Sequence, residues 1–269
     1  MPEKDGDHVI RVDFDSVADI YEYTRGVPAP FMQYIIDDIF KTLELAENSF
    51  VLELGCGTGR FVRQFVDRGV RTVGVDISQQ MLGVACGKQE NPAHIKGHLV
   101  LADAVALPFL NGLFHTIVAI HLFHLFPDWQ DSLVEVQRLL QPSGVLITGF
   151  IESPMRASRL SSIFEHRRVE LGYPPIRFGA TTDEVIAALE AMGATVENKG
   201  FHTITHVTYK ETLECFEQRA FSSMWENLPD VVHRQIMQEL RRFVNSEFRS
   251  PDSEEPVKIS AELYYIKFD

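Results

Sequence analysis

The run Glu53-Leu54-Gly55-Cys56-Gly57-Thr58-Gly59 places three glycines at alternate positions, after an apolar stretch from Val51 to Leu54. Phe61, Val62, Phe65 and Val66 follow at helical spacing. Glycines in such a turn let a ligand approach the backbone, and the free N–H groups of the next helix attract an anion. Two carboxylates close later apolar runs: Asp76, 21 residues after Gly55, and Asp103, followed by Ala104. A carboxylate offers two oxygens to a pair of hydroxyl donors. His121 and His124 follow a fourth run, Thr116 to Ile120, and histidine is the side chain that titrates near neutral pH. A dinucleotide fingerprint needs Gly or Ala where this chain has Arg60, and its third glycine falls one place early at Gly59, which counts against a nucleotide-dependent oxidoreductase.

These residues need elements to bring them together. The periodicity predicts strands over Val51–Leu54, Thr72–Val75, His98–Ala102, Thr116–Ile120 and Val145–Ile151, with helices between them. Ser78 and Asp128 are candidate helix caps, and Pro142-Ser143-Gly144 reads as a helix stop. Strands alternating with helices imply a parallel sheet, and continuous apolar strands fit a sheet covered on both faces. Ligands of such sheets bind at the carboxyl ends of the strands, where all the residues above fall. Beyond Ile151 the pattern predicts helices over Ser153–Gly172, from Thr182 or Asp183 to Gly193, over about Lys210–Trp225 and over Asp230–Phe248, with strands over Thr195–Thr208 and Val257–Phe268. The expected organisation is one domain over 1–269. It comprises an N-terminal helical lid (1–45), a core (46–152) and a helical cap built from about 153–180 and 209–250 over the carboxyl edge of the sheet.

The spacing of Glu53 to Gly59 resembles the acidic-x-G-x-G-x-G motif of the class I S-adenosylmethionine-dependent methyltransferases. The resemblance extends through Asp76, Asp103 and the segment Arg138-Leu139-Leu140-Gln141-Pro142-Ser143-Gly144. Upstream, Phe14-Asp15-Ser16-Val17-Ala18-Asp19-Ile20-Tyr21-Glu22-Tyr23-Thr24-Arg25 is similar to the segment preceding the fold in the small-molecule and quinone-type members, with Glu22 in place of an aspartate. The resemblance implies a Rossmann-like, doubly wound α/β fold with a mostly parallel sheet of seven strands, the last one antiparallel, plus the helical cap. It implies S-adenosyl-L-methionine as cofactor, held at Glu53, Gly55, Cys56, Gly57 and Gly59, with Asp76 on the ribose. Ile77 and Met81 would lie against the adenine, Asp103 and Ala104 would meet its polar edge, Ile120 would stand near the methyl group, and Tyr21 and Arg25 would close the site. It further implies methyl transfer to a small-molecule acceptor, with a nonenzymatic donor-binding or protein-interaction module as the alternative. His121 or His124 is the candidate general base, helix capping or packing being the other use.

An acceptor pocket is expected near His121 and Phe150, under a cap whose Phe164, Phe216, Phe221, Met224 and Trp225 could line it. Arg156, Arg159, Arg167 and Arg168 could meet an acidic group there or form a solvated helix face. A net charge of −13 argues against a nucleic-acid partner. No run approaches the length of a membrane span and the N-terminus has no signal-like apolar core, so a cytoplasmic, non-inserted protein is expected. Cys56, Cys86 and Cys215 form no C-x-x-C pair and read as reduced thiols, Cys56 as a small filler of its turn. His202 and His206 share a strand face without a matching carboxylate, so no metal site is expected.

Overall fold

The computed structural model describes residues 14–87, 98–219, 227–248 and 250–268. The apolar runs form β1 (Phe50–Leu54), β2 (Arg71–Asp76), β3 (Leu99–Leu101), β4 (Phe114–Ile120) and β5 (Leu140–Ile151), all parallel. Two strands of 15 residues, β6 (Ala194–Thr208) and β7 (Glu254–Phe268), complete a seven-stranded sheet in the order β3-β2-β1-β4-β5-β7-β6. β7 runs antiparallel to both neighbours, as expected for the last strand. The order reverses at β1 and β4, which opens a crevice at their carboxyl ends.

Alternate residues of each strand face opposite sides, so both faces are covered. On one face Val51, Val118, Val145, Ile147 and Tyr265 pack with α2 (Ala29–Leu43) and α3 (Arg60–Val66). On the other, Leu52, Ile117, Ala119, Leu146 and Ile266 pack with α5 (Trp129–Leu139) and α7 (Thr182–Ala191). The short α4 (Gln79–Gly87) sits beside Cys56 and Val62. α5 keeps Leu133, Val136 and Leu139 buried at helical spacing. Thr181 caps α7 reciprocally with Glu184, which satisfies two otherwise orphaned N–H groups.

Three features differ from the sequence reading. β5 begins at Leu140, and the expected stop at Pro142-Ser143-Gly144 is absorbed into the strand as a bulge, with Ser143 in a left-handed conformation at φ 66°. Asp128 stands at the start of α5 without a side-chain capping bond. The helix expected from Ser153 is α6 (Arg159–Glu170), capped by Ser158. Of the first 45 residues, α2 is a core element, with Ile35, Ile36 and Ile39 fully buried. Among the described residues of that stretch, Phe14, the 3₁₀ turn Asp15–Ile20 and α1 (Tyr21–Arg25) lie at the crevice.

β7 pairs with β5 only from Ala261 onward, so its first residues and the end of β6 project past the carboxyl edge as a two-stranded ribbon. Against this ribbon pack α6, α8 (Tyr209–Glu217) and α9 (Asp230–Glu247), through Leu160, Phe164, Phe216, Ile236, Leu240 and Ile259. Phe164 and Phe216 are fully buried in that packing, while Phe221, Met224 and Trp225 lie outside the described residues. Among the described residues no helix is long and apolar enough to cross a membrane.

Candidate functional site

The turn after β1 has Gly55 at φ 70° and Gly57 at φ 52°, a region side chains rarely adopt. A Cβ on Gly55 would lie 2.6 Å from Leu122 Cδ1, whereas one on Gly57 would meet nothing within 4 Å. Gly57 therefore leaves open space facing the crevice. Gly59, at φ 76°, stands at the start of α3 and its N–H donates to the Cys56 carbonyl.

Glu53, 5 % exposed, points beneath the turn, where its carboxylate accepts from the Val62 N–H at 2.7 Å and ties β1 to the first turn of α3. Burial pushes its pKa up to about 8, against the pull of that N–H and of Arg60 and Arg63. Cys56 is likewise buried, its N–H bonded to the Val75 carbonyl, and burial holds its thiol well above the ordinary value, so it stays protonated and packs as a small apolar group.

Asp76 closes β2 and joins the two loops: Oδ2 accepts from the Gly57 N–H at 2.7 Å and Oδ1 from the Ser78 N–H at 2.8 Å. A carboxylate has about four acceptor directions, so each oxygen keeps one for a ligand. Burial raises the Asp76 pKa while the two N–H groups lower it. Asp103 closes β3 and accepts from the Val105 N–H at 3.2 Å.

One elongated cavity collects these strand ends. Its walls include Tyr21, Gly55, Gly57, Asp76, Ile77, Met81, Asp103, Ala104, Ile120 and His121. Glu53, Cys56, Gly59, Arg25 and His124 do not line it; the first three support its floor from behind. Sequence reasoning missed Leu54, Val75 and Ala102, each the residue immediately before a glycine or aspartate of the site, and Leu122, Leu125 and Phe126 in the turn after β4. The signal was available for the first three, because each ends an apolar run one place early.

The N-terminal segment is stitched over this cavity. Phe14 and Tyr21 line it, their rings edge to face at 6.0 Å. Ser78 Oγ donates to Asp15, Thr58 donates its hydroxyl to Glu22, and Arg63 pairs with Glu22 at 3.3 Å. Arg60 donates to the Arg25 carbonyl at 2.8 Å.

Two wider cavities, of about 560 and 570 Å³, open beyond β4 and β5. His121 lines both of them and the first cavity as well. It holds a left-handed backbone at φ 57°, and its Nε2 lies 2.9 Å from the Ile151 nitrogen and 2.8 Å from the Ile151 oxygen. A neutral ring satisfies one of these, by tautomer. Burial pushes the His121 pKa down to about 3. His124, open to the two wider cavities but surrounded by protein, is pushed to about 4 by burial and then by Arg25.

The four arginines of the 153–180 segment do not act together. Arg156 lines both wider cavities. Arg159 stacks 4.9 Å above Phe243, and Arg167 pairs with Glu239 at 2.7 Å and with Glu170. Arg168 is fully buried and donates to the Tyr173 carbonyl at 2.7 Å and to Asn227 at 3.0 Å. It fixes the chain entering Pro175–Thr182, which walls one cavity. No group of metal-ligating side chains occurs among the described residues.

Residues 52–148 match the family model described as methyltransferase domain. A 99-residue stretch, 36 % of this chain, is 34 % identical to the demethylmenaquinone methyltransferase of Thermus thermophilus, and spans 44 % of that protein. A stretch of 110 residues, 40 % of this chain, is 31 % identical to the sterol 4-C-methyltransferase strm-1 of Caenorhabditis elegans, and spans 33 % of it. The chain thus spans less than half the length of these curated relatives. Among solved structures, the YcgJ protein of Bacillus subtilis superposes with a TM-score of 0.56 at 20 % identity, covering 88 % of this chain and 99 % of that one, a likeness of fold.

Proposed function

We propose that this chain, which carries a class I S-adenosylmethionine-dependent methyltransferase domain of the small-molecule type, moves the donor's methyl group to a small acceptor bound beyond His121. The carrying observation is that His121 forms a common wall between the strand-end cavity and the two wider ones. A group lodged against His121 from the first cavity faces any molecule held in the others.

The residues fit the donor. Gly57 leaves a space that a Cβ would fill, and Asp76 keeps two acceptor directions for the ribose hydroxyls. Ile77 and Met81 offer apolar surface to the adenine, and Asp103 with Ala104 meets its polar edge. Tyr21 covers the methionine end, with the Arg25 guanidinium 5.6 Å from its ring centre. When bound, the donor supplies an electrophilic methyl on a sulfonium. Methyl transfer from such a donor would be an in-line displacement at carbon, with the donor sulfur as leaving group.

Such an in-line displacement asks the protein chiefly for alignment and exclusion of water. The N-terminal segment and the packed cap supply both. His121 and His124 are neutral at pH 7, and their low basicity suits hydrogen bonding to the acceptor better than strong general-base catalysis.

The test is incubation with methyl-labelled S-adenosylmethionine and a metabolite extract, with mass identification of labelled products. A protein that binds S-adenosylhomocysteine yet labels nothing would reject methyl transfer and leave a donor-binding module.

A further inference from the structure

We infer that the outer edge of β6, over residues 200–208, is a docking surface for a second copy of this chain, the two strands pairing antiparallel about a two-fold axis at Ile204.

The edge is open. β6 ends the sheet, and among the described residues β7 alone hydrogen-bonds the backbone of residues 200–207. Every second residue there turns its N–H and C=O away from β7, a row of ladder groups that a further strand can meet. Sheet edges are ordinarily guarded by a charged side chain, a proline or a bulge. Residues 200–208 contain no Lys, Arg, Asp, Glu or Pro, and their register with β7 is unbroken. The charge that precedes them, Lys199, is held by Asp38 at 3.1 Å and Thr42 at 2.6 Å on α2.

The sequence of the strip points to its occupant. His202-Thr203-Ile204-Thr205-His206 reads the same in both directions. An antiparallel pair centred on Ile204 therefore sets Ile204 against Ile204, Thr203 against Thr205 and His202 against His206, with Phe201 opposite Val207. Threonine pairs, and pairs of an aromatic with a β-branched residue, favour such a ladder. The match is isologous: one strip supplies both surfaces, and the contact closes at two copies.

Charge and exposure agree with this occupant. A net charge of −13 makes two copies repel over most of their surface, so a strip without carboxylates is where they can approach. His202, Ile204 and His206 are exposed on one face, Ile204 by 69 %. In the pair the two Ile204 side chains cover each other, and the stem of Lys258, the β7 neighbour of Ile204, flanks them on either side. The two Lys258 positions lie three strand spacings apart, about 14 Å, beyond the range of strong repulsion in physiological salt.

The test begins with sedimentation equilibrium of the full chain over about a hundredfold range of concentration. The expected result is a reversible rise from 30.6 kDa to twice that mass in the parent chain. Ile204→Lys is expected to stay at the single mass with an unchanged circular dichroism spectrum, because the position is exposed. Register is read from cysteine variants in a Cys86→Ser background, where the remaining Cys56 and Cys215 are buried. Directly opposed Cβ atoms lie about 4.5–5.5 Å apart, a small shift from disulfide reach. Ile204→Cys is therefore expected to form a covalent dimer with copper–phenanthroline in air, and so is His202→Cys combined with His206→Cys. His202→Cys alone is expected to stay uncrosslinked, its two copies being offset by four residues, or about 13 Å. A single mass at every concentration, a dimer unaffected by Ile204→Lys, or crosslinking of His202→Cys as fast as that of Ile204→Cys overturns the proposal.

Discussion

Replacing Asp76 by Asn keeps the size of the side chain and removes its charge. The two carboxylate oxygens each hold one backbone N–H, from Gly57 and Ser78. An amide can accept only through its oxygen, so its NH2 must face one of those N–H groups donor to donor. An orphaned N–H of this kind costs about 1–3 kcal/mol of stability. In the donor complex the variant also loses a charge-assisted bond to one ribose hydroxyl, worth about 1.5–3 kcal/mol before water compensates. The expected loss of donor affinity is about 2 kcal/mol, close to thirtyfold in Kd. Calorimetry with S-adenosylhomocysteine and with its 2′,3′-dideoxy analogue separates the two effects. Loop disorganisation weakens both ligands alike, whereas ribose recognition weakens only the ligand that has the hydroxyls. A folded variant that binds S-adenosylhomocysteine as tightly as the parent chain, or whose losses are equal for the two ligands, refutes the ribose assignment.

Gly57→Val is expected to abolish donor binding while far-ultraviolet circular dichroism stays near the parent spectrum, because the added atoms meet only open space in the free protein but strain φ 52° and fill the ligand's place; normal donor affinity would show that the turn is not the binding loop. Glu53 takes up a proton on folding, since its folded pKa of about 8 exceeds the ordinary carboxylate value, so its contribution to stability falls as pH rises through that window. His121 and His124 have depressed values of about 3 and about 4, so they act oppositely, their contribution being lost as pH falls below the ordinary histidine value. The comparison with Glu53→Gln separates this effect from that of the histidines: across about pH 5 to 8 the urea midpoint of the parent chain should fall relative to that of the variant; parallel curves would dispose of this account. Arg168→Met strands the carbonyl of Tyr173 and should cost about 2–4 kcal/mol in urea unfolding; a change below the error of the measurement would show that this buried guanidinium does not fix the segment.

The strand-end cavity was legible because its signals are local. Each of Gly55, Asp76, Asp103 and His121 follows an apolar run, and a parallel sheet carries all run ends to one edge. The residues behind that edge were harder to read. Glu53 was grouped with the donor ligands because it sits in the motif, but strand alternation turns its side chain under the turn to meet Val62. The stitches from Asp15 and Glu22 to Ser78 and Thr58 join residues far apart in sequence, and no periodicity encodes such pairs. The arginine cluster expected within 153–180 dispersed for a similar reason. Helical spacing sends Arg167 and Arg168 to different partners, and the guanidiniums that join Arg156 come from α1 and α3. Excising that whole segment would also remove Leu160 and Phe164, both fully buried, so single substitutions are the sound probe of the pocket.

The projecting ribbon of β6 and β7 sets how freely the two halves can vary. Residues 254–259 of β7 have ladder partners only in β6, while residues from Ala261 onward are locked to β5. An altered side chain on the projecting part can reshape the helices seated on it without disturbing any ladder bond of β1, β2 or β3. The joint near Ala261 thus acts as a boundary of tolerance, with an adaptable ribbon and its helices mounted on a sheet whose strand-end cavity admits few changes. A library randomised at the exposed positions of α8 and α9 alone should therefore return many proteins that fold and bind S-adenosylhomocysteine like the parent chain.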